Sequence, residues 1–266
     1  MLSFYHFESV PVPRKSRDDL FSAVQNIPGL RGTVYIAKEG VNAQLAVPPG
    51  APLAELLQAC ATTLPFDAFR ANPPNLGDVV PITVPTFDRL VVRVRDFVLR
   101  DEIPVGNGET APLDWSDAGP ELPPADWHNA LSHAQGNDTP PLILDCRNLY
   151  ESEQGTFQGA IPLGTNTFQE SWSTLNNMTK DLPKDRPLHI FCTGGIRCVK
   201  VGAYLKQQLG FSNVQRLQHG IIGYQKWIQG RQDADDNTTT SLWNGENFLF
   251  DKRRFADEGS DREHTE

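Results

Sequence analysis

The sequence predicts a two-domain α/β chain, and three observations predict it. At 266 residues the chain exceeds the usual length of one domain. Residues 1–100 carry strand and helix signals in the order βαββαβ, which suggests a ferredoxin-like split α+β sheet. From Asp126 onward short apolar strands alternate with helices, the pattern of a parallel sheet covered on both faces. Between them, residues 101–124 hold Pro104, Gly106, Gly108, Pro112, Gly119, Pro120, Pro123 and Pro124, which break any periodic pattern. We read them as a linker or an extended arm, residues 125–230 as the second domain, and residues 231–266 as a C-terminal extension with a disordered charged end.

In the first domain, Leu2–Phe7 is a short aromatic strand. Ser16 reads as the N-cap of a helix carrying Leu20, Phe21, Val24 and Ile27, which Pro28-Gly29 ends. Thr33–Ala37 and Val41–Val47 form two strands joined around Glu39-Gly40, the second burying Val41, Ala43, Leu45 and Val47 on one face. A helix over Pro52–Thr63 and a strand over Leu90–Val98 complete the order. In the second domain, a helix near Asp126–Ala134 precedes the apolar strand Leu142–Asp145. The strand Leu188–Cys192 runs into a glycine loop and a helix that stops at Gly210. A strand at Val214–Leu217 and a helix at Ile221–Ile228 follow, and Leu242–Asp251 is aromatic enough to pack back.

Composition narrows the function classes. Hydrophobic residues make up 39% and charged residues 21%, ordinary for a globular chain. No apolar run reaches the roughly 18 to 20 residues of a membrane span, and the N-terminus reads directly as a strand rather than as a signal peptide, so we expect a cytoplasmic protein. A net charge of −9 argues against an extensive nucleic-acid surface but permits a local basic strip. The cysteines Cys60, Cys146, Cys192 and Cys198 lack CxxC spacing and an accompanying HxxxH, so we expect reduced thiols and no metal.

The strongest local signal is Cys192-Thr193-Gly194-Gly195-Ile196-Arg197. Ligands collect at the carboxyl ends of parallel strands, where Cys192 sits. Small and flexible residues after it let backbone N–H groups form an anion-binding nest, and the next helix aims its positive end at the same place. A cysteine so placed beside an arginine is expected to have its pKa lowered from about 8.5 into a range of roughly 3.5 to 7.5, making it a thiolate nucleophile.

This loop resembles the active-site loop of rhodanese domains, which spans six residues from the nucleophilic cysteine to the arginine. In dual-specificity phosphatases the loop is one residue longer. Leu144-Asp145-Cys146-Arg147-Asn148, Tyr150-Glu151 and Gly155-Thr156-Phe157-Gln158-Gly159-Ala160-Ile161-Pro162 are further rhodanese-like marks. The resemblance implies that Asp145 and Arg147 brace the loop. The whole pattern is narrower. Adding Cys198, Gly220-Ile221-Ile222-Gly223-Tyr224, Trp243 to Asp251, and Leu30 to Asn42 in the first domain, the chain resembles the rhodanese-domain tRNA wobble-uridine hydroxylases over roughly residues 2–98 and 126–255. It departs from them in Val199 for an acidic residue, in His219 for a small one, and in a longer 101–124 stretch.

The resemblance implies a ferredoxin-like (acylphosphatase-like) first domain and a rhodanese-like second domain. It also implies oxygen-dependent 5-hydroxylation of the wobble uridine, with tRNA as partner and molecular oxygen as co-substrate. No facial triad, haem motif or dinucleotide loop stands in the sequence, and no cofactor is evident. One chemical route is addition of the Cys192 thiolate to uracil C6, which makes C5 nucleophilic toward an oxidant. The rival reading is a sulfurtransferase that carries a persulfide on Cys192 and takes sulfur from thiosulfate or a donor protein. A third is a non-catalytic binding module.

Cys198 supports two readings, a resolving thiol or a small hydrophobe on the buried stripe with Val201 and Leu205. Arg93 and Arg95 share one face of their strand and read either as RNA contacts or as a solvated strand face. The cluster Lys252, Arg253 and Arg254 reads the same two ways. His189 is expected to be a packed core histidine, with His219 and Lys200 nearer the pocket.

Overall fold

The computed structural model describes residues 1–48, 50, 53–64, 87–103, 113–133, 140–233 and 239–248. The chain divides into two compact units, one of residues 1–100 with 249–266 and one of residues 101–248. The expected disordered end, the basic cluster at Lys252–Arg254, and Leu249 and Phe250 lie outside the described residues.

The first unit contains β1 (Leu2–Phe7), α1 (Pro13–Val24), β2 (Arg31–Ala37), β3 (Gly40–Ala46), α2 (Leu53–Thr63) and β4 (Leu90–Val94). Its strands lie in the order β1-β3-β2-β4, with β3 antiparallel to both neighbours and β4 parallel to β2 at the edge. Alternation along β3 puts Val41, Ala43 and Leu45 in the core with Val34, Ile36, Leu20, Val24, Leu56 and Cys60. Two boundaries differ from expectation. Helix α1 begins at Pro13, not after Ser16, because proline at the first helical positions supplies a helical φ and loses no hydrogen bond there. Ser16 is therefore interior and buried. Strand β4 stops at Val94. The Arg95 N–H still donates to the Ile36 carbonyl, but the Val98 N–H turns to the Glu39 carboxylate at 2.9 Å and Val98 is buried.

The second unit contains β5 (Glu121–Leu122), α3 (Pro124–Ser132), β6 (Leu142–Asp145), α4 (Leu149–Ser152), β7 (Gly155–Phe157), β8 (Ile161–Pro162), α5 (Ser171–Thr179), β9 (Leu188–Phe191), α6 (Ile196–Ala203), β10 (Val214–Leu217), α7 (Gly220–Gln232) and β11 (Trp243–Gly245). Five strands form a sheet in the order β5-β10-β9-β6-β8, every pairing parallel. Strand β9 lies at its centre with all four residues buried, as a strand covered on both faces must be. Helix α6 continues into a π-helical turn at Tyr204–Gln208 before Gly210 ends it.

The stretch 101–124 is more than a connection in its described part. The Trp172 indole N–H donates to the Asp101 carbonyl at 2.6 Å. Gln207 donates to the carbonyls of Asp114 and Asp117 at 2.7 and 3.1 Å. Ala118 is fully buried, and β5 adds a parallel strand to the sheet edge. Proline and glycine hide such an element, because a two-residue strand has no periodicity to detect.

Strand β11 pairs antiparallel with β7, so the segment around Trp243 packs back as its aromatic content predicts. The Phe157 ring makes edge contacts with Phe191 at 4.9 Å, Tyr224 at 4.7 Å and Trp243 at 5.2 Å, each worth roughly 0.5–1.5 kcal/mol beyond burial. This cluster fixes the end of β9 from which the glycine loop departs.

Candidate active site

Cys192 follows β9 directly and is fully buried. The chain turns through Thr193 and Gly194 into Gly195, whose φ of +97° marks the start of α6. That left-handed conformation suits glycine. It turns the Gly195 N–H back on the loop, where it donates to the Cys192 Sγ at 3.2 Å. The loop carbonyls are held by the next helix: Ile221 N–H donates to the Cys192 oxygen at 3.0 Å and Ile222 N–H to the Thr193 oxygen at 3.1 Å. The first turn of α7 thus spends two orphan donors on the loop. Gly220 makes the approach possible, since a Cβ there would sit 2.3 Å from the Cys192 oxygen and 2.7 Å from the Thr193 oxygen.

Arg197 does not point its charge at the sulfur alone. Its guanidinium donates to both oxygens of Glu151, at 2.6 and 2.8 Å, and to the Thr193 hydroxyl at 3.2 Å. The Thr193 hydroxyl in turn donates to Glu151 at 3.2 Å. Glu151 is fully buried and also accepts the Asn148 N–H at 3.1 Å, closing a capping box on α4. Such a bidentate, charge-assisted pair is the strong kind. Glu151 entered the sequence reading only as a rhodanese-like mark. Nothing in its local sequence marks it as the Arg197 partner, because the two residues lie 46 positions apart.

Asp145 and Arg147 form a second buried pair, with Arg147 Nε donating at 2.9 Å and an Nη at 2.6 Å. Arg147 also donates to the Glu151 carbonyl at 3.3 Å and the Gly155 carbonyl at 2.5 Å, and it lies over the Trp243 ring at 5.1 Å. Thr156 donates to Asp145 at 2.9 Å. The pair ties β6, α4 and β7 together. It reaches the loop through Glu151.

One expectation is corrected here. Burial pushes the Cys192 thiol well above its ordinary value, and the thiol of Cys198 adds to this, while Arg197 pulls the other way and loses. Burial raises a thiol's pKa because the charged form loses its hydration. The sequence displays the arginine and the helix end. It does not display that Glu151 already neutralises that arginine.

Three sulfurs meet beneath the loop. Burial raises the pKa of the Cys198 thiol as well, and the neighbouring Cys146 and Cys192 thiols act on it too. All three cysteines are at most 1% exposed. Lys200 is also fully buried, paired with the Asp101 carboxylate and set over the Trp115 ring at 5.1 Å. It faces away from a substrate role and anchors the segment that precedes β5. His219, in a left-handed conformation with φ of 55°, precedes α7. His189 is a packed core histidine against Trp127 at 5.5 Å, and burial lowers its pKa to about 4. In the other unit, Arg93 and Arg95 are exposed, Arg95 lying over the Tyr35 ring at 5.1 Å. Among the described residues no cluster of three or more His, Cys, Asp or Glu side chains could hold a metal ion.

Residues 1–98 match the UPF0176 acylphosphatase like domain and residues 125–227 match the Rhodanese-like domain. A tRNA uridine(34) hydroxylase of Sinorhizobium medicae is 33% identical over 99% of this chain and 75% of its own length. One from Synechocystis is 32% identical over 97% of this chain and 82% of its own. The chain belongs to the tRNA uridine(34) hydroxylase family. Membership in a family of hydroxylases makes it an enzyme of the oxidoreductase class. A rhodanese-like domain protein of Staphylococcus aureus superposes on 40% of the chain and 90% of its own with a TM-score of 0.31 and 22% identity. No helix among the described residues of this hydroxylase-family chain is long and apolar enough to cross a membrane.

Proposed function

We propose that the chain catalyses oxygen-dependent 5-hydroxylation of the wobble uridine of tRNA in the cytoplasm, with Cys192 as its nucleophile. The observation that carries this reading is family likeness across both units at once, rather than across the rhodanese-like unit alone. Net reaction converts uridine, dioxygen, two electrons and two protons into 5-hydroxyuridine and water. A reductant supplied to the enzyme provides the electrons. In our route the reductant takes dioxygen to the peroxide level, and Cys192 sulfur adds to uracil C6. The electron pair passes to C5, and C5 attacks one peroxide oxygen as the O–O bond breaks and the other oxygen leaves as water. Loss of the C5 proton and of the thiolate then restores the ring.

The buried, protonated thiol gives this route a condition. Substrate binding has to open the loop enough to admit the base and to let Cys192 lose its proton. The Glu151–Arg197 pair supports that step by holding the loop's far end while the residues between Cys192 and Gly195 adjust.

A sulfurtransferase carrying a persulfide on Cys192 is the second reading. The amide of Gly195 aimed at Cys192 Sγ favours it, since a terminal sulfur on that atom would meet the same donor. The two readings separate by experiment. Mass spectrometry of tRNA nucleosides from cells with and without the protein is expected to show 5-hydroxyuridine only in its presence. Unchanged hydroxyuridine together with thiosulfate:cyanide activity in the purified protein would move the assignment to sulfur transfer. Neither activity would leave a binding module.

A further inference from the structure

Arginines of the first unit line an open groove. Helix α1 presents Arg17 and Phe21, four residues apart and therefore on one face. The edge strand β4 presents Arg93, and Arg89 stands just before it, with Leu90, Val91 and Val92 forming the floor. Among the described residues the lining carries no acidic side chain, although Asp18 pairs with Arg17 at 3.0 Å. Three of the seven lining residues are arginine, on a chain with 33 acidic and 24 basic residues. The arginine positions are also rigid. The Arg89 carbonyl accepts the Gly32 N–H at 3.0 Å, and Arg93 lies in register with Tyr35 of β2. Phe21 is 37% exposed beside them, an aromatic surface placed among cations.

We propose that this groove binds the phosphodiester backbone of the substrate RNA. Guanidinium groups suit phosphate oxygens, because their planar donors meet two oxygens at once. Three of them in one groove supply sequence-independent affinity on a chain whose overall charge repels nucleic acid. Phe21 offers a face against which a base or ribose packs. Arg95, held over Tyr35, lies outside the groove. The inference thus assigns the contact to Arg17, Arg89 and Arg93. It rests on the tRNA reading proposed above.

The test compares the full chain with the triple variant Arg17→Gln/Arg89→Gln/Arg93→Gln in tRNA binding from about 50 to 200 mM salt. The wild-type protein should bind with an affinity that falls steeply with salt. The variant should bind about tenfold or more weakly at the low-salt end, its log-log salt slope reduced by about 2 from three lost contacts. Arg→Lys replacements at the same positions should keep most of the slope. A charge-matched control, Arg14→Gln/Lys15→Gln/Lys180→Gln, alters residues outside the groove and should lose far less. Equal binding by the triple variant, or an equal loss in the control, overturns the inference. So does competition by inorganic phosphate at millimolar concentration, which would mark a small-anion site. These outcomes are separable from failure of the hydroxylase reading. A wild-type protein that makes hydroxyuridine while the triple variant keeps its tRNA affinity removes only the groove. A wild-type protein that makes none, yet binds tRNA through these arginines, removes only the reaction.

Discussion

The chain places arginines in two opposite settings. Arg147 and Arg197 in the second unit are buried, each joined by two hydrogen bonds to a buried carboxylate. Arg89 and Arg93 in the first unit are exposed on a sheet edge, in a groove with no carboxylate among its described lining residues. The same side chain therefore does two jobs. A buried guanidinium paired in full positions backbone, and its charge is largely consumed. An exposed one keeps its charge for a partner. Around the Cys192 loop the first kind prevails, and burial, the largest influence on the Cys192 thiol, raises its pKa despite the arginine five residues on.

The largest expected effect breaks the buried pair. Glu151→Ala strands the Arg197 charge and should cost about 4 kcal/mol in denaturant unfolding. Adding Arg197→Met should recover a large part of that loss. If the double variant is as unstable as the single, the carboxylate is not there to neutralise the arginine.

Next in size is a pH effect on the same buried sheet. His189 keeps a folded pKa of about 4 against an unfolded value near 6.5. The unfolded chain therefore binds the extra proton first, and stability falls as pH drops from about 6.5 to about 4, by about 3 kcal/mol. Below that range the contribution is flat. The difference between wild type and His189→Phe in melting temperature across pH 7 to 4 isolates this share. A parallel decline in both proteins would contradict it.

Gly220→Ala is a smaller and more local break. Its new methyl meets the two loop carbonyls, and a left-handed φ of +60° adds strain. A loss of about 2 to 3 kcal/mol is expected. Unfolding measurements that find less than about 0.5 kcal/mol would mean the loop does not sit on α7 as described.

The smallest effect sharpens the contrast. Arg89→Gln and Arg93→Gln should each change stability by less than about 0.5 kcal/mol, because each side chain is exposed. A large loss in thermal melts would show that these arginines support the fold, as their buried counterparts do.

Much of this arrangement is legible in the sequence, and the limits have physical reasons. Strand β6 is readable in full, because the apolar run Leu142-Ile143-Leu144 is short and bounded by turn signals. The turn at Cys192–Arg197 and the Trp243 segment are readable for similar local reasons. The Arg197–Glu151 pair is not, since it joins residues 46 apart in sequence and no local pattern announces it. Nor is the burial of Lys200 against Asp101, 99 residues away, on a helix face that spacing alone would have left open. Helix α1 starts earlier than its Ser16 suggests, because Pro13 outranks Ser16 as the signal. Arg93 was visible on its strand, but the contribution of Arg17 depends on how α1 packs beside β4.

The central claim is that Cys192 carries the reaction on tRNA, and replacing one atom tests it most directly. Cells lacking the protein would be complemented with the wild type or with Cys192→Ser, and tRNA nucleosides compared by mass spectrometry. The hydroxyl fits the space of the thiol and keeps the Gly195 hydrogen bond, so the folded protein should accumulate normally. The account predicts 5-hydroxyuridine with the wild type and none above background with the serine variant. Full hydroxylation by a stably folded Cys192→Ser protein would contradict it.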